Sequence, residues 1–284
     1  MSYLDRVRTL QTWEPSAYRP FTAGGKRVGL IHRDVIPHLA DFGAVFQVSE
    51  TAVALDPGLG DPASRTTAMA EVLAILRSRG LIPGWRDEPY AVCEDWGTTP
   101  LFQMERAAVP LFGTLGYGVH MNGFVRDGDQ LKMWIGKRSM TKPTGPGKLD
   151  QLVAGGLPAG LSVMDNLVKE CVEEAGIPEN IARRARPVGA MSYCTERPEG
   201  LRRDVLFNYD LELPASFVPR NTDGEVEAFY LWTIEDVMDR VRETDDFKFN
   251  CGVIIIDFLI RRGFIGPDIS DYVEIQRGLH TALR

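Results

Sequence analysis

Residues 153 to 177 read VAGGLPAGLSVMDNLVKECVEEAGI, a glycine-rich loop entering a helix with Glu170, Glu173 and Glu174 on three of five consecutive positions. Ser162 and Asp165 have capping-box spacing, and Met164, Leu167, Val168, Cys171 and Ala175 recur at the three-to-four residue interval of a buried stripe. Gly176 and Pro178 stop the helix. At 3.6 residues per turn, Glu170 and Glu174 are one turn apart and Glu173 lies beside both, so three carboxylates crowd one side. Like charges at this spacing cost roughly 0.2 to 0.5 kcal/mol per pair, and near the helix C-terminus the dipole opposes them as well. The helix alone admits two readings. Its acidic face is solvated and neutralised by Lys169, Arg183, Arg184 and Arg186, or it holds a cation. The preceding loop favours the second, because glycine-rich loops expose backbone N–H groups and carbonyls to phosphates and metal ions.

The rest of the composition narrows the partners. A chain of 284 residues, 44% hydrophobic and 25% charged, is long enough for one large domain or two small ones. With 32 basic against 39 acidic residues the net charge is -7, which argues against a nucleic-acid partner. Cys93, Cys171, Cys194 and Cys251 are dispersed without a CxxC pair, and nothing near residue 1 has signal-peptide character, so reduced thiols and a cytoplasmic location are expected. No apolar run approaches the ~20 residues of a membrane span; VIIIDFLI, residues 253 to 260, is too short and contains Asp257. His32, His38 and His280 have no partners at metal-ligand spacing, and nothing in the sequence indicates an oligomeric state.

Punctuation along the chain sets its organisation. The spacing of Met69, Val72, Leu73 and Leu76 predicts a helix over 66–80, closed by Gly80. Pro110 and the glycines of AAVPLFGTLGYG mark a boundary near 110 to 115, dividing a smaller α/β domain, residues 1–112, from a second one, residues 113–284. Beyond it, YGVHMNGFV and LKMWIGKRS flank an Asp-Gly turn and read as paired strands, followed by strands at DVLFNYDLEL and VEAFYLW. Helices return in TIEDVMDRVRE and CGVIIIDFLIRRG, the second domain ending in a helical tail.

The loop, helix and glutamates together resemble the Nudix box, a glycine followed by a helix carrying Arg-Glu-x-x-Glu-Glu-x-Gly. Aligned back from Gly176, Gly155 falls on the first glycine, Lys169 on the arginine, and Glu170, Glu173 and Glu174 on the metal-binding glutamates. Leu161 stands where the box normally carries another glutamate. The segments GLIPGWRDEPYAV, YGVHMNGFV, MWIGKRSMTKPTGPGKLDQLVAGGLPAG, YDLELP, DGEVEAFYLW and FKFNCGVIIIDFLIRRG extend the likeness over nearly the whole chain. They are similar to the Nudix subfamily that has an extra N-terminal domain and is fused to thiamine pyrophosphokinase in some fungi, where AGGLPAG is a hallmark and the first glutamate is also missing.

This resemblance implies an α/β/α sandwich with a mixed sheet over about 115 to 262, and a Mg2+-dependent diphosphatase, with Mn2+ as an alternative ion. The substrate implied is a small-molecule diphosphate, thiamine diphosphate and its damaged oxo and oxy forms, hydrolysed to monophosphates. Glu170, Glu173, Glu174 and the Gly155 carbonyl would ligate the metal, and Lys169 would orient a glutamate. Glu173 is the first candidate for general base, and Glu225 in NTDGEVEAF the second. Trp134, Tyr193 and His120 are candidates for the substrate rings, and Arg138 and Lys142 for its diphosphate. Three alternatives stay open: hydrolysis of another nucleoside-diphosphate-linked metabolite such as ADP-ribose, a diphosphate sensor without catalysis, and an isomerase using Cys194.

Overall fold

The computed structural model describes residues 2–128 and 130–283. Its organising element is the strand Leu115–Asp127, in which every residue from Leu115 to Val125 is buried. A strand buried on both faces must be covered by layers above and below. It runs parallel to Gly200–Glu212, in register from Leu115 opposite Arg203 to Phe124 opposite Glu212. Its other edge is divided. Gln130–Arg138 pairs with the far end through the expected hairpin, and Val153–Gly156 pairs with the near end, Gly156 facing Gly118. The five-strand path runs Arg186–Arg197, Gly200–Glu212, Leu115–Asp127, Gln130–Arg138, Val226–Thr233, a mixed sheet.

One face carries the box helix, Val163–Ala175, whose Leu167, Cys171 and Ala175 pack on Val119, Met121 and Trp134. The other carries Ile234–Glu243 and Phe249–Arg261. In the latter every residue from Asn250 to Leu259 is buried, which explains why VIIIDFLI is apolar all round. The result is the α/β/α sandwich.

The smaller α/β part has its own core. A four-stranded sheet in the order Lys26–His32, Tyr18–Ala23, Val53–Leu55, Phe46–Val48 packs with the helix Pro62–Ser78 and the pair Pro89–Val92 and Phe102–Glu105 around Phe21, Phe46, Phe102 and Phe112. The helix begins four residues before the expected Thr66, because Asp61 caps the N–H groups of Ala63 and Ser64 and Pro62 supplies the first turn. The helix Tyr3–Arg8 lies elsewhere: Tyr3, Leu4, Val7 and Leu10 join the core of the second part, beside Ile275 and Leu279.

Candidate active site

The box helix starts where Ser162 accepts the Asp165 N–H at 3.1 Å and ends where Gly176 takes φ 62°, a left-handed turn that favours glycine. The capping box is incomplete: the Asp165 carboxylate takes the Ser162 hydroxyl, 2.7 Å away. The three glutamates do not share one environment. Glu170 and Glu174 are buried, whereas Glu173 is half-exposed, one helical position round from Glu174. Lys169 bonds Glu173 at 2.7 Å and Glu170 at 3.2 Å, and so spans the outward and inward carboxylates. Glu174 accepts the Ala154 N–H at 2.8 Å, which ties the helix to the strand Val153–Gly156.

Glycine is required at 155 by this packing. A Cβ there would lie 2.6 Å from Glu170 Oε1, and closer still to the side-chain carbons behind it. The Gly155 carbonyl in turn lies over Gly118, where a Cβ would be 2.9 Å from it.

Burial raises the Glu170 carboxyl above its ordinary range despite the adjacent Lys169 charge. Burial first, and then the Glu170 charge, push Glu174 well above its range, opposed by the Ala154 N–H. Two buried carboxylates, Glu170 bonded to Lys169 and Glu174 bonded to the Ala154 N–H, offer hard oxygens suited to a divalent cation, while Glu173 does not converge with them into a three-carboxylate cluster. Glu225 differs. Burial opposes its charge, but the hydrogen bond and charge of Lys142 outweigh it and hold the pKa down. Arg86 lies 3.9 Å from its carboxylate.

Beside Gly155 and Gly156 opens a cavity of about 760 Å³. Tyr193, Phe247 and Phe249 supply aromatic wall, and the Tyr193 hydroxyl donates to Asp204. Arg202 is neutralised by Glu199 at 2.6 Å and Asp204 at 3.3 Å. Arg197 and Lys248 also line the cavity but have no carboxylate within ion-pair distance among the described residues. The Arg197 guanidinium lies 3.9 Å from the Phe249 ring centroid, and burial lowers the pKa of both cations against the pull of nearby groups.

His120, also on the cavity wall, is neutral near pH 7, its pKa lowered to about 4, chiefly by burial. Its Nδ1 lies 2.7 Å from Gln151 Oε1, while Gln151 Nε2 donates to the Cys251 carbonyl at 2.7 Å. Nδ1 therefore carries the proton, and Nε2 is an acceptor. His120, Asp150 and Cys251 hold ligand-type atoms within 4.8 Å of one another. Arg138 already occupies Asp150 at 2.6 Å, and the Cys251 thiol donates to Asp150 at 2.7 Å, so this group is a closed hydrogen-bond network.

Of the residues expected to bind substrate, His120 and Tyr193 line the cavity; Trp134, Arg138 and Lys142 do not. Strand alternation turns Trp134 to the box-helix face, opposite Gly118 and His120. Arg138 is buried, bonding Asp150 and the Thr144 and Gly145 carbonyls, and Lys142 is held by Glu225. Leu161 is 40% exposed. Sequence reasoning missed Arg86, Tyr90 and Arg106 of the first part, and Arg197, Asp204 and Lys248 of the second. No spacing pattern connects these six, which meet only through the tertiary fold.

Residues 2–116 match the profile of a family described as "Domain of unknown function (DUF4743)". In Arabidopsis thaliana, "Nudix hydrolase 20, chloroplastic" is 49% identical over 272 residues, 92% of this chain and 72% of the relative. "Nudix hydrolase 24, chloroplastic" from the same plant is 48% identical over 264 residues, with the same two coverages. A MutT protein of solved structure from Methanosarcina mazei Go1 aligns over 52% of this chain and 95% of its own, at 14% identity and a TM-score of 0.41. The identity to the two plant enzymes over nearly the whole chain decides the matter: the chain belongs to the Nudix hydrolase family.

Proposed function

We propose that this Nudix hydrolase is a Mg2+-dependent diphosphatase acting on thiamine diphosphate and, in preference, its oxo and oxy derivatives, releasing monophosphates. The observation that carries the reading is the buried pair Glu170 and Glu174, whose pKa values burial raises, beside a cavity with two cations that have no carboxylate partner among the described residues. The likeness of the chain's segments to the thiamine pyrophosphokinase-linked subfamily supports the substrate. So does His120, whose Nε2 acceptor suits the exocyclic amine of a pyrimidine, and the aromatic wall suits the rings.

Glu170, Glu174 and the Gly155 carbonyl would hold Mg2+, which when bound would supply charge neutralisation at the phosphoryl oxygens and acidify the attacking water. The chain's own residues do the rest. Glu173, half-exposed and paired with Lys169, is the first candidate to take the proton of the water. Glu225, closed off by Lys142 and of lowered pKa, is the weaker base. Arg197 and Lys248 attract the anionic substrate, and Tyr193 with Asp204 shapes the wall.

Phosphate release should be measured with Mg2+ across thiamine diphosphate, oxothiamine diphosphate, ADP-ribose and a nucleoside triphosphate. Fastest turnover of oxothiamine diphosphate is the expected result. Tight binding of it without turnover in Mg2+ or Mn2+ would reject the enzyme reading, and fastest turnover of ADP-ribose would reject the substrate.

A further inference from the structure

The part of the chain matched by the family of unknown function does more than adjoin the site. Its paired strands Pro89–Val92 and Phe102–Glu105 dock on the loop after Gly156, where the Ala159 N–H donates to the Pro89 carbonyl at 2.8 Å. Tyr90, in the first strand, and Arg106, just after the second, then lie against Gly156. A Cβ there would collide with the Tyr90 hydroxyl and sit 2.9 Å from Arg106 Cζ and 3.0 Å from its Nη2. Successive residues of a strand face opposite ways. Gly155 therefore carries Glu170 on one side, and Gly156 carries Arg106 on the other.

Arg106 is only partly committed. Its Nη1 donates to Glu88 at 2.7 Å, while Nε and Nη2 have no partner among the described residues, and the side chain lines the cavity. The guanidinium lies 5.6 Å from the Tyr90 ring centroid, which holds it in place from behind. Arg86, Val109 and Pro110 extend the same wall. A planar fork with two free donors is the group that matches non-bridging phosphoryl oxygens.

We propose that the first part of the chain is half of the substrate site, with the free Nε and Nη2 of Arg106 binding the diphosphate of an organic diphosphate and Tyr90 fixing that fork against Gly156. This deepens the diphosphatase reading and rests on it for the nature of the ligand, but it is testable without turnover. In the full-length protein, binding of inorganic pyrophosphate with Mg2+ is measured by calorimetry and by ligand-induced shift in Tm, alongside kcat and KM for oxothiamine diphosphate. Arg106→Ala should weaken pyrophosphate roughly 10- to 100-fold, the span for losing a charge-assisted hydrogen bond, and lower kcat/KM by a similar factor. Arg106→Lys keeps the charge and the fold but loses the fork, so it should recover the affinity only in part.

Wild-type pyrophosphate affinity in Arg106→Lys, or in a folded Arg106→Ala, overturns the proposal. Failure of the diphosphatase reading looks different: wild type then releases no phosphate from any diphosphate, whatever the Arg106 variants do to pyrophosphate binding.

Discussion

Replacing Gly155 with alanine tests the site through one atom. The backbone tolerates it, since Gly155 is not among the residues of positive φ, and its pairing with Val119 needs no glycine. The new Cβ would lie 2.6 Å from Glu170 Oε1. The nearest clash is with Glu170 Cδ, 2.2 Å away, against an ordinary contact distance of 3.4 Å, so the carboxylate must retreat by about 1.2 Å. Metal-ligand distances are specified within about 0.2 Å, so a ligand displaced this far is lost, and misplacement by about 1 Å costs on the order of a hundredfold in rate. Stability should fall as well, within the roughly 1 to 3 kcal/mol typical of overpacking, because Cγ and Cδ of a buried side chain are struck along with its tip. The assay is kcat/KM against Mg2+ concentration, with Tm recorded in parallel. Glu170→Gln and the double variant close the cycle: if alanine acts through Glu170, the double variant should be no worse than Glu170→Gln. Retention of activity and Mg2+ dependence within threefold in Gly155→Ala would refute the reasoning, as would additive losses in the double variant.

Glu174→Gln should reduce turnover at least roughly a hundredfold while making the metal-free protein more stable near neutral pH. Because the Glu174 pKa is raised on folding, its contribution is full below the ordinary carboxyl value of 4.5 and is lost as pH rises through the folded value. Metal-free wild type should therefore lose stability relative to the variant above that pH in denaturant titrations, and Mg2+ should reverse the trend. Leu161→Glu should change kcat/KM by less than about threefold, since Leu161 is 40% exposed and the buried carboxylate pair does not include it. Deleting residues 2–10 removes Tyr3, Leu4, Val7 and Leu10 from the second core, at roughly 1.5 to 3 kcal/mol for each fully buried side chain as an upper bound. The truncated protein should melt well below wild type; an unchanged Tm would show that these contacts contribute nothing. We also propose a division of the chain near 110 to 115, with residues 3–10 packed on the second unit, checked by whether an N-terminal fragment released by limited digestion stays bound to residues 113–284.

What the sequence revealed was local. The box helix, the hairpin after Leu115 and the helix Phe249–Arg261 follow from residue period, caps and turn chemistry that act over a few positions. Arg186–Arg197 is harder to read as a strand: it has Pro187 and Gly189 near its start, a bulge between them, and exposed residues along its first half, features of a sheet edge. Roles within the site were less legible than its location. Nothing in the spacing says that Asp150 consumes Arg138, that Glu225 consumes Lys142, or that Glu173 turns outward while its neighbour is buried. Arg106 lies about fifty residues before the box, and its role becomes visible only once the pair Pro89–Val92 and Phe102–Glu105 is docked.

The position of Tyr3–Arg8 makes the first part of the chain an insertion rather than an appendage. Chain enters it beside Thr12, whose carbonyl accepts the Glu196 N–H at 2.8 Å and whose hydroxyl lies 2.5 Å from that of Thr195. Chain leaves it at Gly113, whose carbonyl accepts from Arg203 at 3.1 Å. Both crossings are thus anchored on the neighbouring strands Arg186–Arg197 and Gly200–Glu212. A body tethered at two neighbouring points keeps only rotation about the line that joins them. During synthesis the seat of residues 3–10 is complete only after Ile275 and Leu279 have been made.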